Sequence, residues 1–308
     1  MTEPMQPTFL AADRRIASMK GFLQQLARMA ILVFAAGLTC AILVRYAPGT
    51  MVDERELDRR LNENSLAALR AEKADNRNVA ANFVRYLRGL TKGDLGYSES
   101  NHAPIAALIA DRAPETLREL AVGLAGGWLL GLALAIPAGI RRNGAFDATS
   151  TAATGLLLSL PTALIAYLCV MEGAKSDLVL VIVIAPRVFR YTRNLLAQAS
   201  GALHVETARA RGVSDRRILT SHIFPAIAPQ MIALAAVSIS IAIGAAIPVE
   251  AICDVPGLGR LAWNAATARD LPLLVNLTML VAIATTTASW FSRPWASSSR
   301  QRVTINSE

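Results

Sequence analysis

A chain of 308 residues that is 53% hydrophobic and only 18% charged, with a mean hydropathy of +0.39, is too apolar for an ordinary soluble domain. Its net charge of +8 does not mark a nucleic-acid binder, because the basic excess lies in short flanks beside long uncharged runs rather than in one patch. Cys40, Cys169 and Cys253 stand far apart with no metal-ligand spacing, and no secretory leader fits the N-terminus.

Residues 1–20 are polar. About 20 residues of helix cross a bilayer's hydrocarbon core, and the runs of that kind set the expected elements. Met29 to Val44 is the first, short but flanked by Arg28 and Arg45, whose side chains can snorkel. Residues 48–115 are polar, with balanced charges, helical patterning near Asp53 to Glu72 and Phe83 to Leu90, and Pro104 and Pro114 near the end. Further spans are expected at Leu120 to Ile140, Ala148 to Met171, Leu178 to Ala199, Ile223 to Val249 and Leu271 to Phe291, the fourth of the six being interrupted by Arg187, Arg190 and Arg193. The expected fold class is therefore an all-α membrane protein of about six transmembrane helices. Its divisions are 1–47 (N-terminus and first span), 48–116 (an extracytoplasmic segment), 117–292 (the membrane core) and 293–308 (the tail), with a polar loop at 204–223.

Orientation follows from the flanking cations. Arg14, Arg15 and Lys20, then Arg141 and Arg142, then Arg209, Arg211, Arg216 and Arg217, then Arg293, Arg300 and Arg302 all fall on one side if the N-terminus is inside. The short loops on the other side hold only Lys175, Arg260 and Arg269. Basic residues accumulate on the cytoplasmic side, so both termini are expected there.

Catalytic chemistry is not expected. There is no G-x-x-x-x-G-K-[ST] phosphate loop, and His102, His204 and His222 form no metal-binding pattern. The spans hold almost no carboxylates, Glu119 and Glu250 standing at the ends of theirs, which also argues against an ion-coupled secondary transporter. The hydroxyls of Thr149, Ser150, Thr151, Thr154, Ser238 and Ser240 are candidates either to line a path or to pack between helices.

One charged stretch sits between two apolar runs: "ETARARGVSDRRILTSHIFP", Glu206 to Pro225. Glu206, Thr207 and Ala208, then Gly212, then Pro225 reproduce the spacing of an E-A-A-x3-G-x9-I-x-L-P loop, with Thr207 and His222 as departures. In order along the chain come "LVRYAPGT", "YLRGLTKGDLGYS", "SLP" at Ser159 to Pro161, "RYTR" at Arg190 to Arg193, and "VEAICDVPGLGRL" at Val249 to Leu261. Together these resemble the permease subunits of bacterial ABC importers, in the dipeptide, oligopeptide and nickel branch. The likeness spans about residues 20 to 285, although the connection between spans three and four ("EGAKSD") is shorter than the family's.

The resemblance implies a type I ABC importer permease architecture in the bacterial cytoplasmic (inner) membrane. It implies an ATPase-coupling helix carrying Val205, Glu206, Thr207, Ala208, Arg209, Gly212, Arg216 and Pro225, seated in a groove of the ATPase. The implied partners are a second homologous permease, two ABC ATPase subunits that bind ATP and Mg, an extracytoplasmic substrate-binding protein and membrane lipid, with no nucleic acid. No cofactor or metal is expected on this chain. Arg187, Glu250, Pro256, Gly257 and Gly259 are candidates for the translocation pathway or its gate. For Glu250 a capping role at a helix end, and for Arg187 snorkelling, remain open. Di- or oligopeptides are the leading substrate class, with nickel or another metal chelate as the alternative.

Overall fold

The computed structural model describes residues 93–140 and 144–305, with side chains to residue 289, and scattered helical positions between 27 and 42. Most of the first expected span, residues 48–92, Arg141, Arg142 and the tail side chains lie outside the described residues. The chain divides into two units, one of Met1–Gly96 with Leu271–Ile283, the other of Tyr97–Asp270 with Ala284–Glu308.

In the larger unit a short hairpin, β1 (Tyr97–Ser98) paired antiparallel with β2 (Ala103–Pro104), leads directly into α1 (Ile105–Ile140). Helices α2 (Ala145–Ser159), α3 (Thr162–Met171) and α4 (Ser176–Ser200) follow. Two short helices, α5 (Leu203–Ala210) and α6 (Asp215–Ile218), precede a π-helical turn at Leu219–Ile223. Then come α7 (Phe224–Ile252) and α8 (Leu258–Thr267), and α9 runs over Leu271–Ile305. In the smaller unit, Asn276 on α9 donates to the carbonyls of Leu95 and Pro272 at 3.0 and 2.8 Å.

Three stretches are long and apolar enough to cross a membrane, Ile105–Ile140, Asp215–Ile252 and Leu271–Ser289; a fourth is formed if α2 and α3 count as one. Two expected boundaries shift. The polar segment was expected to run to 116, but Ile105 already starts α1, and Pro114 lies inside that helix rather than ending a loop. The expected third span is not straight: α2 and α3 bend by 100° at Leu160 and Pro161. Pro161 has no N–H to continue the ladder, and it holds Leu160 in extended backbone, so the helix stops there and α3 restarts.

The core lies along α4. Gly123, Gly127, Gly131, Ala135 and Gly139 recur every fourth residue on α1 and are all buried. This stripe lets the backbones approach closely, as small residues do in membrane helix pairs. A Cβ on Gly127 would stand 2.7 Å from Ile184 Cβ, and one on Gly131 2.7 Å from Val188 Cβ and 3.0 Å from the Ala185 carbonyl. Leu180, Val183, Ile184 and Val188 also pack with Ile165 and Ala166 of α3 and Leu234, Ala242, Ala245 and Val249 of α7.

The seam makes a direct prediction. Gly131→Ala should destabilise the permease by about 1–3 kcal/mol through overpacking, seen as reduced folded protein in detergent thermal-unfolding curves. Gly155→Ala, whose Cβ would meet nothing within 4 Å, should leave those curves unchanged.

Candidate functional site

The segment from Leu203 to Ile223 is fastened to the chain's own core. Val205 is fully buried and Ala208 nearly so, in a cluster with Leu196 of α4, Ile218 of α6, Ile223 of the π-turn and Ile227 of α7. Val205 and Ala208 are thus the inward face of α5, not knobs presented to a partner. The exposed face carries Glu206, Thr207, Arg209 and Arg211, with Arg216 and Arg217 exposed on α6. Leu203 is an apolar side chain 79% exposed at the start of α5, and it lies outside the Glu206–Pro225 pattern. Glu206 in the first turn of α5 and Arg209 in the last both suit the helix macrodipole. Beside the segment is a cavity of about 240 Å3, with Gly139, Ser200, Arg209, Asp215 and Ile218 in its wall.

Gly212 has a specific conformational duty. The Val213 N–H donates to the Ala208 carbonyl at 3.2 Å and the Gly212 N–H to that of Arg209 at 3.0 Å, with φ +75° at Gly212. That is a Schellman ending, in which a left-handed residue satisfies the last carbonyls of the helix. Val213 packs back on the same cluster as Ala208, completing the turn. A Cβ on Gly212 would meet nothing within 4 Å, so a substitution here is resisted by backbone conformation rather than by crowding.

Pro225 lies in the first turn of α7, as its spacing suggested, but the chain does not break ahead of it. The Phe224 N–H reaches back five residues to the Leu219 carbonyl, so α6, the π-turn and α7 form one continuous rod. A proline lacks the N–H for a regular bond to Ser221, and a π-turn before it absorbs the mismatch.

At the other end of α7, Glu250 is fully buried. Its carboxylate accepts from Thr116 Oγ1 at 2.7 Å and from the backbone N–H groups of Gly259 at 2.7 Å and Arg260 at 3.2 Å. Thr116 Oγ1 in turn accepts the Leu258 N–H at 2.8 Å. Glu250 and Thr116 together cap α8, tying α1, α7 and α8 to one point. Gly257 and Gly259 follow from this: a Cβ on Gly257 would run into the Glu250 carboxylate, and one on Gly259 would stand 2.7 Å from Ile247 Cα. Pro256 is exposed at the turn. Sequence spacing brought Glu250, Gly257 and Gly259 together but did not reveal Thr116, 134 positions earlier. Nearby, Asp270 accepts from the Ser98 and Ser100 hydroxyls at 2.5 and 2.7 Å, pinning the β1–β2 hairpin.

The arginines of α4 divide into two kinds. Arg193 donates from Nε and Nη2 to both oxygens of buried Asp147 at 2.5 and 2.6 Å, a bidentate pair linking α4 to α2. Arg187 is half-buried about midway along α4 and donates from Nη1 to the Val183 carbonyl of its own helix at 2.5 Å. Among the described residues no carboxylate answers it. A central arginine left against lipid costs roughly 2.5–3.5 kcal/mol on insertion scales. Of the hydroxyls given either a path-lining or a packing role, Thr149, Thr154, Ser238 and Ser240 donate to carbonyls three or four residues back in their own helices. Among the described residues no group of three His, Cys, Asp or Glu is placed to hold a metal ion.

Over 280 residues the chain is 26% identical to a putative peptide permease protein of Brucella suis biovar 1 (strain 1330), a match covering 81% of this chain and 88% of that one. It is 27% identical over 263 residues to the oligopeptide transport system permease protein OppB of Escherichia coli (strain K12), covering 78% and 84%. Among solved structures it is similar in fold to a chain of the MetNI methionine ABC transporter in an inward-facing conformation. There the TM-score is 0.53 at 20% identity, over 62% of this chain and 97% of that one. Residues 127–296, which hold the C-terminal part of α1, helices α5 and α6 and the α8 cap, match the model of a known family. The chain belongs to the family of binding-protein-dependent transport system inner membrane components.

Proposed function

We propose that the chain is one membrane-spanning subunit of an ATP-driven importer of di- or oligopeptides, in the bacterial inner membrane. The observation that carries this reading is the coupling segment: a charged outer face, a buried inner face, and a rigid exit into α7. Relatives named as peptide permeases supply the substrate class. The chain contains no phosphate-binding loop, so the energy enters through partner ATPase subunits that bind ATP and Mg. Those subunits dock on the exposed face of α5 and α6, with Glu206, Thr207, Arg209 and Arg216 at the contact and Leu203 as its apolar anchor. Val205 and Ala208 transmit the movement inward by packing on Leu196, Ile218 and Ile227. A second, homologous permease faces this one, and an extracytoplasmic binding protein delivers peptide at the side where Glu250 and Thr116 cap α8. The coupling segment, and both termini, lie in the cytoplasm.

Coupling is tested at the Schellman turn. Gly212→Val should lower peptide uptake by the assembled transporter at least tenfold while the subunit still inserts and assembles, because a β-branched residue resists positive φ. Gly212→Asn, which tolerates that conformation better, should retain much of the activity. Equal uptake by both variants and the parent would remove the coupling role of this turn.

Orientation is tested by single cysteines in a background lacking the native three. A membrane-impermeant thiol reagent added to intact cells should label Lys175→Cys and spare Ser214→Cys, both positions being exposed. The opposite pattern would place the coupling segment outside, where no ATPase can reach it.

A further inference from the structure

The second half of α4 carries a polar stripe that is left largely exposed among the described residues. Arg187, Arg190, Tyr191, Asn194 and Gln198 fall within an arc of about 100° at 3.6 residues per turn. Arg187 is half-buried and the other four are exposed. Towards the start of α4 the same arc presents Leu180 and Val183, both buried in the core with α3 and α7. The face is therefore closed by apolar packing in one half and open and polar in the other. A helix face of this composition is suited to water or to charged solutes, not to lipid tails.

Of the three arginines of the helix, Arg187 and Arg190 lie on the stripe and Arg193 does not. Arg193 lies off the stripe and is neutralised within the chain by Asp147. Arg187 lies on the stripe, roughly 16 Å from the start of α4 at 1.5 Å per residue, and among the described residues its hydrogen bond is to a backbone carbonyl. A buried carboxylate thus answers Arg193, and among the described residues none answers Arg187. A guanidinium presents paired donors that match a carboxylate.

We propose that this face of α4 lines the aqueous translocation path and that Arg187 meets the C-terminal carboxylate of the passing peptide. The inference rests on the peptide-import reading given above and adds the permease's own selectivity to it: substrates must carry a free anionic end. Anionic lipid or an acidic side chain of the partner permease offers the same charge, and the test separates these sources.

The experiment uses the full transporter in proteoliposomes, fed by its binding protein with a tripeptide as the free acid or as the C-terminal amide. The binding protein is the same throughout, so a change in the acid-to-amide uptake ratio between parent and variant reports the permease alone. Arg187→Gln should cut free-acid uptake about tenfold and amide uptake little, with Arg187→Lys close to the parent. In a cysteine-free background, Arg187→Cys should react with a charged aqueous thiol reagent, while Leu129→Cys, 71% exposed on α1, should not. An unreactive Arg187→Cys would mean snorkelling against lipid and would overturn the proposal. An unchanged acid-to-amide ratio would overturn it too, assigning the charge to lipid. Loss of assembly in Arg187→Gln, with the ratio intact in what remains, would assign it to the partner permease. If the parent transporter takes up neither peptide, it is the peptide-import reading that fails, and a reactive Arg187→Cys would still show the face to be wet.

Discussion

Helices surrounded by lipid gain little by expelling lipid from between them, so α1 and α4 have to hold together by close contact. The glycine stripe from Gly123 to Gly139 provides it, each position fitted against a particular side chain of α4. The other features hang from that seam. With one side of α4 fixed to α1, its remaining sides are free for α3 and α7, for the Asp147 pair, for the coupling cluster, and for the polar stripe. Widening the seam would displace all four at once.

From this arrangement comes a mechanical reading of the coupling segment. Leu196, one turn from the end of α4, and Val205 on α5 belong to the same buried cluster as Ile218 and Ile223. The short connection through Gly201 and Ala202 leaves little slack, and the rod from Asp215 to Ile252 has no loop in it. A push on α5 is carried into α4 and α7 together. At the far end of α7, Glu250 and Thr116 hold α8 against α1 through a carboxylate whose acceptor sites meet a hydroxyl and two backbone amides. A buried charge is tolerated there because it is paired with several donors.

Much of this was legible in the sequence, for identifiable reasons. The spans beginning near Leu120, Ile223 and Leu271 announce themselves by length and apolarity, and Gly212 by a spacing that demands a turn. The break at Pro161 lies inside a run that reads as one span by its apolarity, and its 100° angle is set by tertiary packing. The seam was written in a four-residue glycine period that is visible once a partner helix is known. Thr116 and Asp147 were beyond reach, because each partner lies far along the chain: no local pattern links Thr116 to Glu250, or Asp147 to Arg193. The packing of Val205 on its own chain was not legible, because an amphipathic segment shows that it has an apolar face and not which body that face meets.

The central claim is that α5 moves with the inner end of α4 as one piece. Spin labels at Thr207 on α5 and Gln198 on α4, both exposed positions, would measure it directly in the assembled transporter by pulsed dipolar spectroscopy. The account predicts the same distance distribution with and without bound ATP, even as labels on facing subunits separate or approach. A shift of several ångströms between Thr207 and Gln198 on adding ATP would mean that the coupling helix slides on its own core, and would contradict it.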